Sequence, residues 1–247
     1  MSGQRFSLDP LRALSYIAAS ALLGACPGPG RPAPLVPMAL APASRDSAAA
    51  SARSTLPRGQ TLIRFRWRYQ DENVKYAGRG SARVAPPDSL RFDYAGPLGL
   101  GSGAAVIVGD SVVWAEPEKD FRSLVRAIPL LWAAFAMMRP PADDASVFGA
   151  QVVDSISDKR RVVWRFAQPE DTLDYVVTDS AGRKSTLQAE WRRRGTVVAR
   201  SRSLFDALAH PASARVDFPE ASARFELTVV AVDTAAVIPP ALWRSRR

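Results

Sequence analysis

The chain contains very few side chains that could carry out chemistry. Its 247 residues include one histidine, His210, and one cysteine, Cys26. Nucleophilic catalysis needs a nucleophile, a base and an orienting group in contact, and a metal site needs several His, Cys, Asp or Glu ligands. The sequence also has no G-x-S-x-G motif and no glycine-rich loop between a strand and a helix. We therefore expect a protein that is not an enzyme and that uses no cofactor and no metal.

The cysteine lies in a context that suits covalent attachment of lipid. Arg5 and Arg12 precede an apolar stretch from about Leu14 to Ala25, which is about half of the ~20 residues that a membrane-spanning helix needs. The stretch ends in "LGAC", and together these parts match a secretory signal. "LGAC" resembles a bacterial lipobox, and the resemblance implies cleavage before Cys26 and a diacylglycerol on its thiol. An ordinary signal peptide with an accidental cysteine is the alternative.

The composition predicts three segments. Residues 1–25 would be a signal peptide of the lipoprotein type, and residues 26–57 a lipidated cysteine followed by a tether rich in Pro, Ala and Ser. Residues 58–247 would form the folded domain. No aspartate follows Cys26, and resemblance to enteric lipoproteins therefore favours the outer membrane, with the domain facing the periplasm.

The chain is basic, with 33 Lys and Arg against 24 Asp and Glu and a net charge of +9. Such a surface suits an anionic partner, although a simple solvated surface is the alternative. The basic clusters are scattered along an exported chain, which argues against nucleic acid as the partner. Contact with anionic lipid head groups is the better use for them.

Alternation of apolar and polar residues predicts strands through most of the folded domain. In "TLIRFRWRYQ", Ile63, Phe65, Trp67 and Tyr69 alternate with arginines, which is typical of a half-buried strand with its arginines in solvent. The stretches "GDS", "DSAGR" and "RRRGT" have the composition of hairpin tips. The pattern predicts one large, curved antiparallel sheet of about ten or eleven strands.

One apolar segment interrupts this pattern. "IPLLWAAFAMMRPP" predicts a helix from about Pro129 to Met138, stopped by the two prolines. Such a helix is apolar on every face and, at ~15 Å, is too short to span a bilayer. It could form a lid or plug on the concave face of the sheet. Composition alone favours the alternative, an ordinary core with nothing between helix and sheet. The predicted lining residues are Phe65, Trp67, Phe92, Tyr94, Trp114, Leu131, Trp132, Phe135 and Met138.

Three stretches resemble LolB, the outer-membrane lipoprotein receptor, in order and coarse spacing. They are "YAGPLGLGSGAAVIVGDSVVW", "AIPLLWAAFAMMRPP" and "ARVDFPEASARFELTVVAVD", and they fall between about Thr61 and Asp233. The first is similar to a hairpin, the second to a short helix and the third to the C-terminal strand pair of that family. The resemblance implies a mostly β (α+β) fold: an incomplete antiparallel β-barrel with a helical lid over a hydrophobic cavity for acyl chains.

The resemblance also implies partners and a role for one hairpin. Leu98, aided by Leu100, would insert into the membrane from the hairpin tip. The ligand would be the acyl chains of lipoproteins or lipids, delivered to a monomer by a periplasmic LolA-like carrier. A hypothesis of a different class is a structural or assembly lipoprotein that grips a protein partner and binds no lipid. Space beneath the helix for an alkyl chain would distinguish the two.

Overall fold

The computed structural model describes residues 33–97, 101–118, 127–141, 144–154 and 158–243. The strands are β1 (Ala41–Pro42), β2 (Thr61–Gln70), β3 (Lys75–Ala85), β4 (Ser89–Ala95), β5 (Ser102–Val108), β6 (Ser111–Glu116), β7 (Ser146–Asp154), β8 (Lys159–Ala167), β9 (Asp171–Ser180), β10 (Arg183–Arg193), β11 (Thr196–Phe205), β12 (Pro211–Phe218) and β13 (Ala223–Asp233). The helices are α1 (Arg45–Arg53) and α2 (Ile128–Ala134), and short 3-10 helices span Pro219–Ala221 and Pro240–Trp243. None of the helices in these ranges is long and apolar enough to cross a membrane.

The described strands form a single antiparallel sheet that does not close. Its order is β1-β7-β8-β9-β10-β11-β12-β13-β2-β3-β4-β5-β6, so the first and last long strands lie side by side. Helix α2 lies against the concave face. The predicted fold class, an open antiparallel β-barrel with a short helical lid, is confirmed. The sheet has thirteen strands where about ten or eleven were expected, and β1 is only two residues long.

The predicted hairpin tips lie where tight turns join neighbouring strands. Ala181 and Gly182 link β9 to β10 with φ angles of 50° and 74°, and Arg194 and Gly195 link β10 to β11 with 47° and 79°. Two consecutive residues in the left-handed region are what the commonest two-residue hairpin loop requires. These turns therefore set the register of three neighbouring strands.

The chain folds earlier than the predicted domain start at Arg58. Helix α1 begins after Ser44, whose hydroxyl accepts a hydrogen bond from the Ser47 amide at 3.2 Å. Ala48 and Ala52, one turn apart, are buried in the core. The tether prediction for residues 26–57 is thus corrected for this part, because alanines can pack a helix closely onto a sheet without making the segment look hydrophobic.

The residues before β1 cover part of the outer, convex face of the sheet. The Leu35 amide donates to both carboxylate oxygens of Glu190, at 3.1 and 3.2 Å. The Arg165 guanidinium donates to the Val36 carbonyl at 3.2 Å. The segment completes a small apolar cluster whose members are Leu35, Val36, Leu40, Val163 and Val176. It is therefore held by both polar and apolar contacts.

Two carboxylates are fully buried beneath this segment. Asp174 and Glu190 are 0% exposed. Arg165 donates to the two oxygens of Asp174 at 2.7 and 2.9 Å, and Arg192 also bonds to Asp174. Arg200 bonds to Glu190. A buried charge is tolerated only when it is paired, so each of these acids depends on its arginines.

We expect loss of one member of this network to destabilise the fold strongly. Asp174→Ala leaves Arg165 and Arg192 without their main partner and should lower the free energy of unfolding by about 3–5 kcal/mol. Asp217→Ala is the matched control, because Asp217 also bonds two arginines but its side chain is 35% exposed; its cost should be about 1 kcal/mol or less. Urea denaturation measures both, and equal losses would contradict the argument from burial.

Candidate functional site

Helix α2 and the residues that follow it are buried on every side. Each residue from Ala127 to Met138 except Pro129 is buried. A helix that is apolar all round must be covered all round, and the two halves of the curved sheet provide that cover. Pro129 lies in the first turn, as the sequence predicts, because its missing amide donor is not needed there.

One side of α2 packs against an aromatic group, here called the first cluster, on strands β2 and β4. The ring centroid of Phe135 lies 5.5 Å from that of Phe65 and 6.1 Å from that of Phe92, and the latter two are 5.5 Å apart. Trp132 and Leu131 belong to the same cluster. The structure therefore brings five of the nine predicted lining residues together, in direct contact with one another. Their role in binding stays a prediction.

The opposite side of α2 packs into a second cluster on strands β8 to β10. Leu130 and Ala133 contact this cluster, which includes Phe166 and Tyr175. Met138 also belongs to it, although the sequence predicts that Met138 faces the aromatic residues of β2 and β4. That prediction is wrong because the helix ends before Met138. The second cluster was not predicted as part of the site.

The end of α2 explains the position of Met138. The last helical residue is Ala134, and Ala136 takes a left-handed conformation with φ 59°. The Ala136 amide donates to the Ala133 carbonyl at 2.9 Å and the Met137 amide to the Trp132 carbonyl at 3.0 Å. This is a Schellman ending with alanine where glycine is usual. The helix thus ends four residues earlier than predicted, and without the help of the two prolines.

Three further predicted residues are not among the buried members of the first cluster. Trp67 and Tyr94 are partly buried at the edge of the first cluster, with ring centroids 6.0 Å apart. Trp114 lies on the outer face, where the guanidinium of Arg91 is 5.5 Å from its ring centroid. The prediction for Trp114 is wrong because a β-bulge inserts Val113 into β6 and reverses the alternation of faces.

Cys26, Leu98 and Leu100 lie outside the described residues, so lipidation and membrane insertion stay predictions. Within the described ranges, no group of three or more His, Cys, Asp and Glu side chains is placed to hold a metal ion.

Four side chains outside α2 hold the segment in place through polar contacts. The Ser203 hydroxyl donates to the Ala133 carbonyl, and the Thr55 hydroxyl accepts from the Met138 amide at 2.8 Å. The Tyr175 hydroxyl donates to the Arg139 carbonyl at 2.8 Å and accepts from the Arg139 amide at 3.3 Å. The guanidinium of Arg45 holds the chain after α2, because it donates to the carbonyls of Pro141 at 3.4 Å and Ala145 at 2.7 Å.

Tyr175 was missed by the sequence analysis, although it alternates with Leu173 and Val177 as a core position should. It is completely buried, and burial raises the pKa of its hydroxyl. The hydroxyl therefore stays protonated and can act as a donor to the Arg139 carbonyl. Nothing in the local sequence indicates that its partner would be the chain just after α2.

The interior also contains polar atoms without partners. Among the described residues, the indole nitrogens of Trp132 and Trp164 and the hydroxyl of Ser201 are buried and make no hydrogen bond. Leaving such a group unpaired costs about 1–3 kcal/mol. A ligand that brought an oxygen acceptor next to Trp132 would remove part of that penalty.

A cleft opens to solvent at the start of α2. Its volume is about 170 Å³, and its lining residues are Pro129, Leu130, Pro141, Phe166, Gln168, Asp171, Leu173, Trp191 and Arg193. Leu130, Phe166 and Leu173 also belong to the second cluster. The cleft therefore joins the apolar interior to the surface.

The rim of the cleft carries an ion pair. The Asp171 carboxylate accepts from Arg193 Nε and Nη2, both at 3.0 Å, and from Trp191 Nε1 at 3.0 Å. The bond from Arg193, together with that from Trp191, lowers the pKa of Asp171 below its usual value of 3.8. The Arg193 guanidinium also lies 5.2 Å from the Trp191 ring centroid. The rim thus presents a fixed polar edge above an apolar floor.

Solved structures with this fold are known. A LolA superfamily protein from Nitrosomonas europaea is 11% identical, covers 80% of this chain and 97% of its own, and has a TM-score of 0.53. A putative outer membrane lipoprotein-sorting protein domain from Vibrio parahaemolyticus is 7% identical over 79% of this chain and 94% of its own, with a TM-score of 0.48. No family model and no curated protein matches the sequence. The predicted resemblance is therefore confirmed at the level of the fold.

Glycines in β3 allow the aromatic rings to lie flat on the sheet, which gives a test of the packing. A Cβ on Gly80 would lie 2.4 Å from Phe65 Cζ and 2.7 Å from the Asp93 carbonyl oxygen. Gly80→Ala should therefore lower the free energy of unfolding by about 1–3 kcal/mol through overpacking. The control is Gly59→Ala, where a Cβ meets nothing within 4 Å. If urea denaturation shows the same stability for both variants, the ring packing is not tight.

The ion pair at the rim predicts a pH dependence. Because the folded-state pKa of Asp171 is lowered, the pair stabilises the protein above pH 3.8 and this stability is lost as pH falls through the folded-state pKa. Asp171→Asn should cost about 0.5–1 kcal/mol near neutral pH, and this difference from the wild type should shrink in acid. Glu72→Gln, at the exposed β2–β3 turn, serves as the control. A difference that is constant with pH would argue against the ion pair.

Proposed function

We propose that this chain is a lipid-binding protein of the bacterial cell envelope, and not an enzyme. It would bind the acyl chains of lipoproteins or lipids between α2 and the concave face of the sheet. The observation that carries the proposal is α2 itself: a short helix, apolar on every face, at the centre of an open half-barrel and next to a cleft with an apolar floor. The LolA superfamily fold supports the same conclusion.

Binding requires α2 to move. The cleft of about 170 Å³ is smaller than the roughly 300–1,000 Å³ of typical ligand pockets. The aromatic rings of α2 fill the space beneath it in this structure, since Phe135 contacts both Phe65 and Phe92. An acyl chain would therefore enter at the cleft and replace the side chains of α2 on the sheet.

The free energy gained by burying an acyl chain is close to the free energy lost when the side chains of α2 are displaced. A chain of about fourteen to sixteen carbons gains on the order of 10 kcal/mol when it leaves water, at about 0.8 kcal/mol per methylene. Removing Leu131, Trp132 and Phe135 from their contacts costs about 2–3 kcal/mol each. Loading and release would then both be accessible, as a transfer protein needs.

The location in the envelope rests on the sequence. Cys26, if lipidated, would anchor the chain to the outer membrane with the domain in the periplasm. Leu98 and Leu100 would aid release by inserting into the membrane, and a LolA-like carrier would act as donor to a monomer. A single acyl chain binds membranes only weakly, so the several chains of a mature lipoprotein would be needed for stable attachment.

A second candidate function is favoured by the filled interior. A structural or assembly lipoprotein would use the same fold to bind a protein partner and would keep a dry core. The contact of Phe135 with Phe65 and Phe92 is what that function requires of the space beneath α2. Acyl binding by the purified chain separates the two functions.

The test is native mass spectrometry of residues 27–247 with a triacylated lipopeptide and, as the negative ligand, the same peptide without acyl chains. This chain keeps every residue that the structure describes. We expect the wild type to form a one-to-one adduct with the acylated peptide only, and we expect the Trp132→Asp variant to form no adduct.

The Tyr175→Phe variant should instead bind the acylated peptide roughly twofold to tenfold more tightly, because it removes a hydrogen bond that keeps α2 closed.

The matched control for Tyr175→Phe is Tyr69→Phe, since the Tyr69 hydroxyl bonds Asp71 at 3.1 Å, far along the chain from α2. Its affinity should equal that of the wild type. A folded wild-type chain that forms no adduct would falsify the lipid-binding proposal and favour the assembly function. Tighter binding in both tyrosine variants would contradict the idea that Tyr175 holds a lid.

A further inference from the structure

Several arginines lie close together on the outer face of the sheet, on strands that the N-terminal segment leaves uncovered. Arg66 on β2 pairs directly with Arg79 on β3, and Arg202 on β11 pairs directly with Arg215 on β12. All of these side chains are exposed. The patch, here called the arginine face, consists of Arg64, Arg66, Arg68, Arg79, Arg202 and Arg215.

This arrangement works against stability of the isolated protein. Like charges directly opposite each other on neighbouring strands are destabilising. Within the part of the chain that the structure describes, no carboxylate lies within ion-pair distance of Arg64, Arg66, Arg79 or Arg202. Between them the same face presents small polar side chains such as Ser81 and Thr228, and one acid, Glu226, lies between Arg68 and Arg215.

Acids also occur on the outer face, and most of them are bound by arginines at or beyond the edge of the arginine face. Asp217 accepts from Arg215 at 2.8 Å and from Arg224 at 3.0 Å. Asp93 accepts from Arg83 at 2.6 Å and from Arg91 at 2.8 Å. Among the described residues, Arg68 is the β2 arginine that approaches an acid, Glu226, at 4.0 Å. Arg64, Arg66, Arg79 and Arg202 therefore carry positive charge that no ion pair in the described part of the chain compensates.

We propose that the arginine face docks on a bilayer surface that contains anionic phospholipid. Phosphate head groups supply the negative charge that the face lacks, and each arginine near such a surface strengthens binding by roughly fivefold. The inference does not depend on acyl binding in the interior, because it uses the opposite face of the sheet.

The neighbours of these arginines favour a membrane over an acidic protein. Exposed apolar side chains lie among the arginines: Leu204 on β11 is 40% exposed, and Val230, in the β13 bulge beside Arg64, is 61% exposed. Basic residues with apolar neighbours are typical of surfaces that lie at a membrane interface.

Vesicle binding of residues 27–247, which lack both signal segment and acylated cysteine, tests the proposal. Vesicles of phosphatidylcholine alone are compared with vesicles containing about one third phosphatidylglycerol, at low and at physiological salt. The test variant is Arg64→Gln/Arg66→Gln/Arg79→Gln. The control, Arg53→Gln/Arg160→Gln/Arg194→Gln, removes the same charge from exposed positions outside the arginine face.

We expect the wild type to prefer anionic vesicles by at least about tenfold, and salt to weaken this preference. The test variant should lose on the order of 100-fold in affinity and the control less than about threefold. Equal losses in the two variants would mean that net charge alone drives binding, and would overturn the proposal. So would equal binding to neutral and anionic vesicles, which would leave an acidic protein as the partner.

Two further measurements separate this proposal from the others. The test variant should unfold at a urea concentration no lower than the wild type, because it relieves the repulsion between Arg66 and Arg79. It should also retain the lipopeptide adduct, since none of its substitutions faces the interior. If the test variant lost both the lipopeptide adduct and vesicle binding, the arginine face and the interior would not be independent binding surfaces.

Discussion

An apolar helix cannot remain in contact with water on any side, and the architecture follows from the need to cover α2. The open sheet curves round it, so that one side of the helix meets the aromatic residues of β2 and β4 and the other meets β8 to β10. The segment after the helix is then fixed by hydrogen bonds from Thr55 and Tyr175. The N-terminal helix, which supplies Thr55 just beyond its end, is therefore part of the same enclosure.

The two faces of the sheet make different kinds of contact. The concave face buries apolar surface, which is the main source of stability. The outer face is ionic, but its charges are unevenly matched. Asp174 and Glu190 are buried under the N-terminal segment with three arginines, whereas Arg64, Arg66 and Arg79 have no acid within ion-pair distance among the described residues. The part of this face under the N-terminal segment therefore stabilises the fold, and the part on β2 and β3 is exposed and able to contact a partner.

The filled interior is compatible with the proposed binding function, because the side chains of α2 can occupy the space that a ligand would fill. The side chains of α2 occupy the sheet as an acyl chain would, and the polar contacts that hold the segment are few. The unpaired indole of Trp132 shows that the closed packing is not ideal for every group. Either α2 or an acyl chain would cover the apolar lining of such a site, except while one replaces the other. The lining would therefore have little contact with water.

The sequence alone determined the class of fold and indicated the apolar segment at the centre of the candidate site. The alternation in β2, the hairpin tips and the one apolar segment are local patterns, and local patterns are set by side-chain direction along a strand or helix. The tertiary structure decided the rest. The bulge at Val113 moved Trp114 to the outer face, the alanine ending of α2 moved Met138, and Tyr175 found its partner 36 residues away. These outcomes depend on register and long-range contact, which no short stretch of residues encodes.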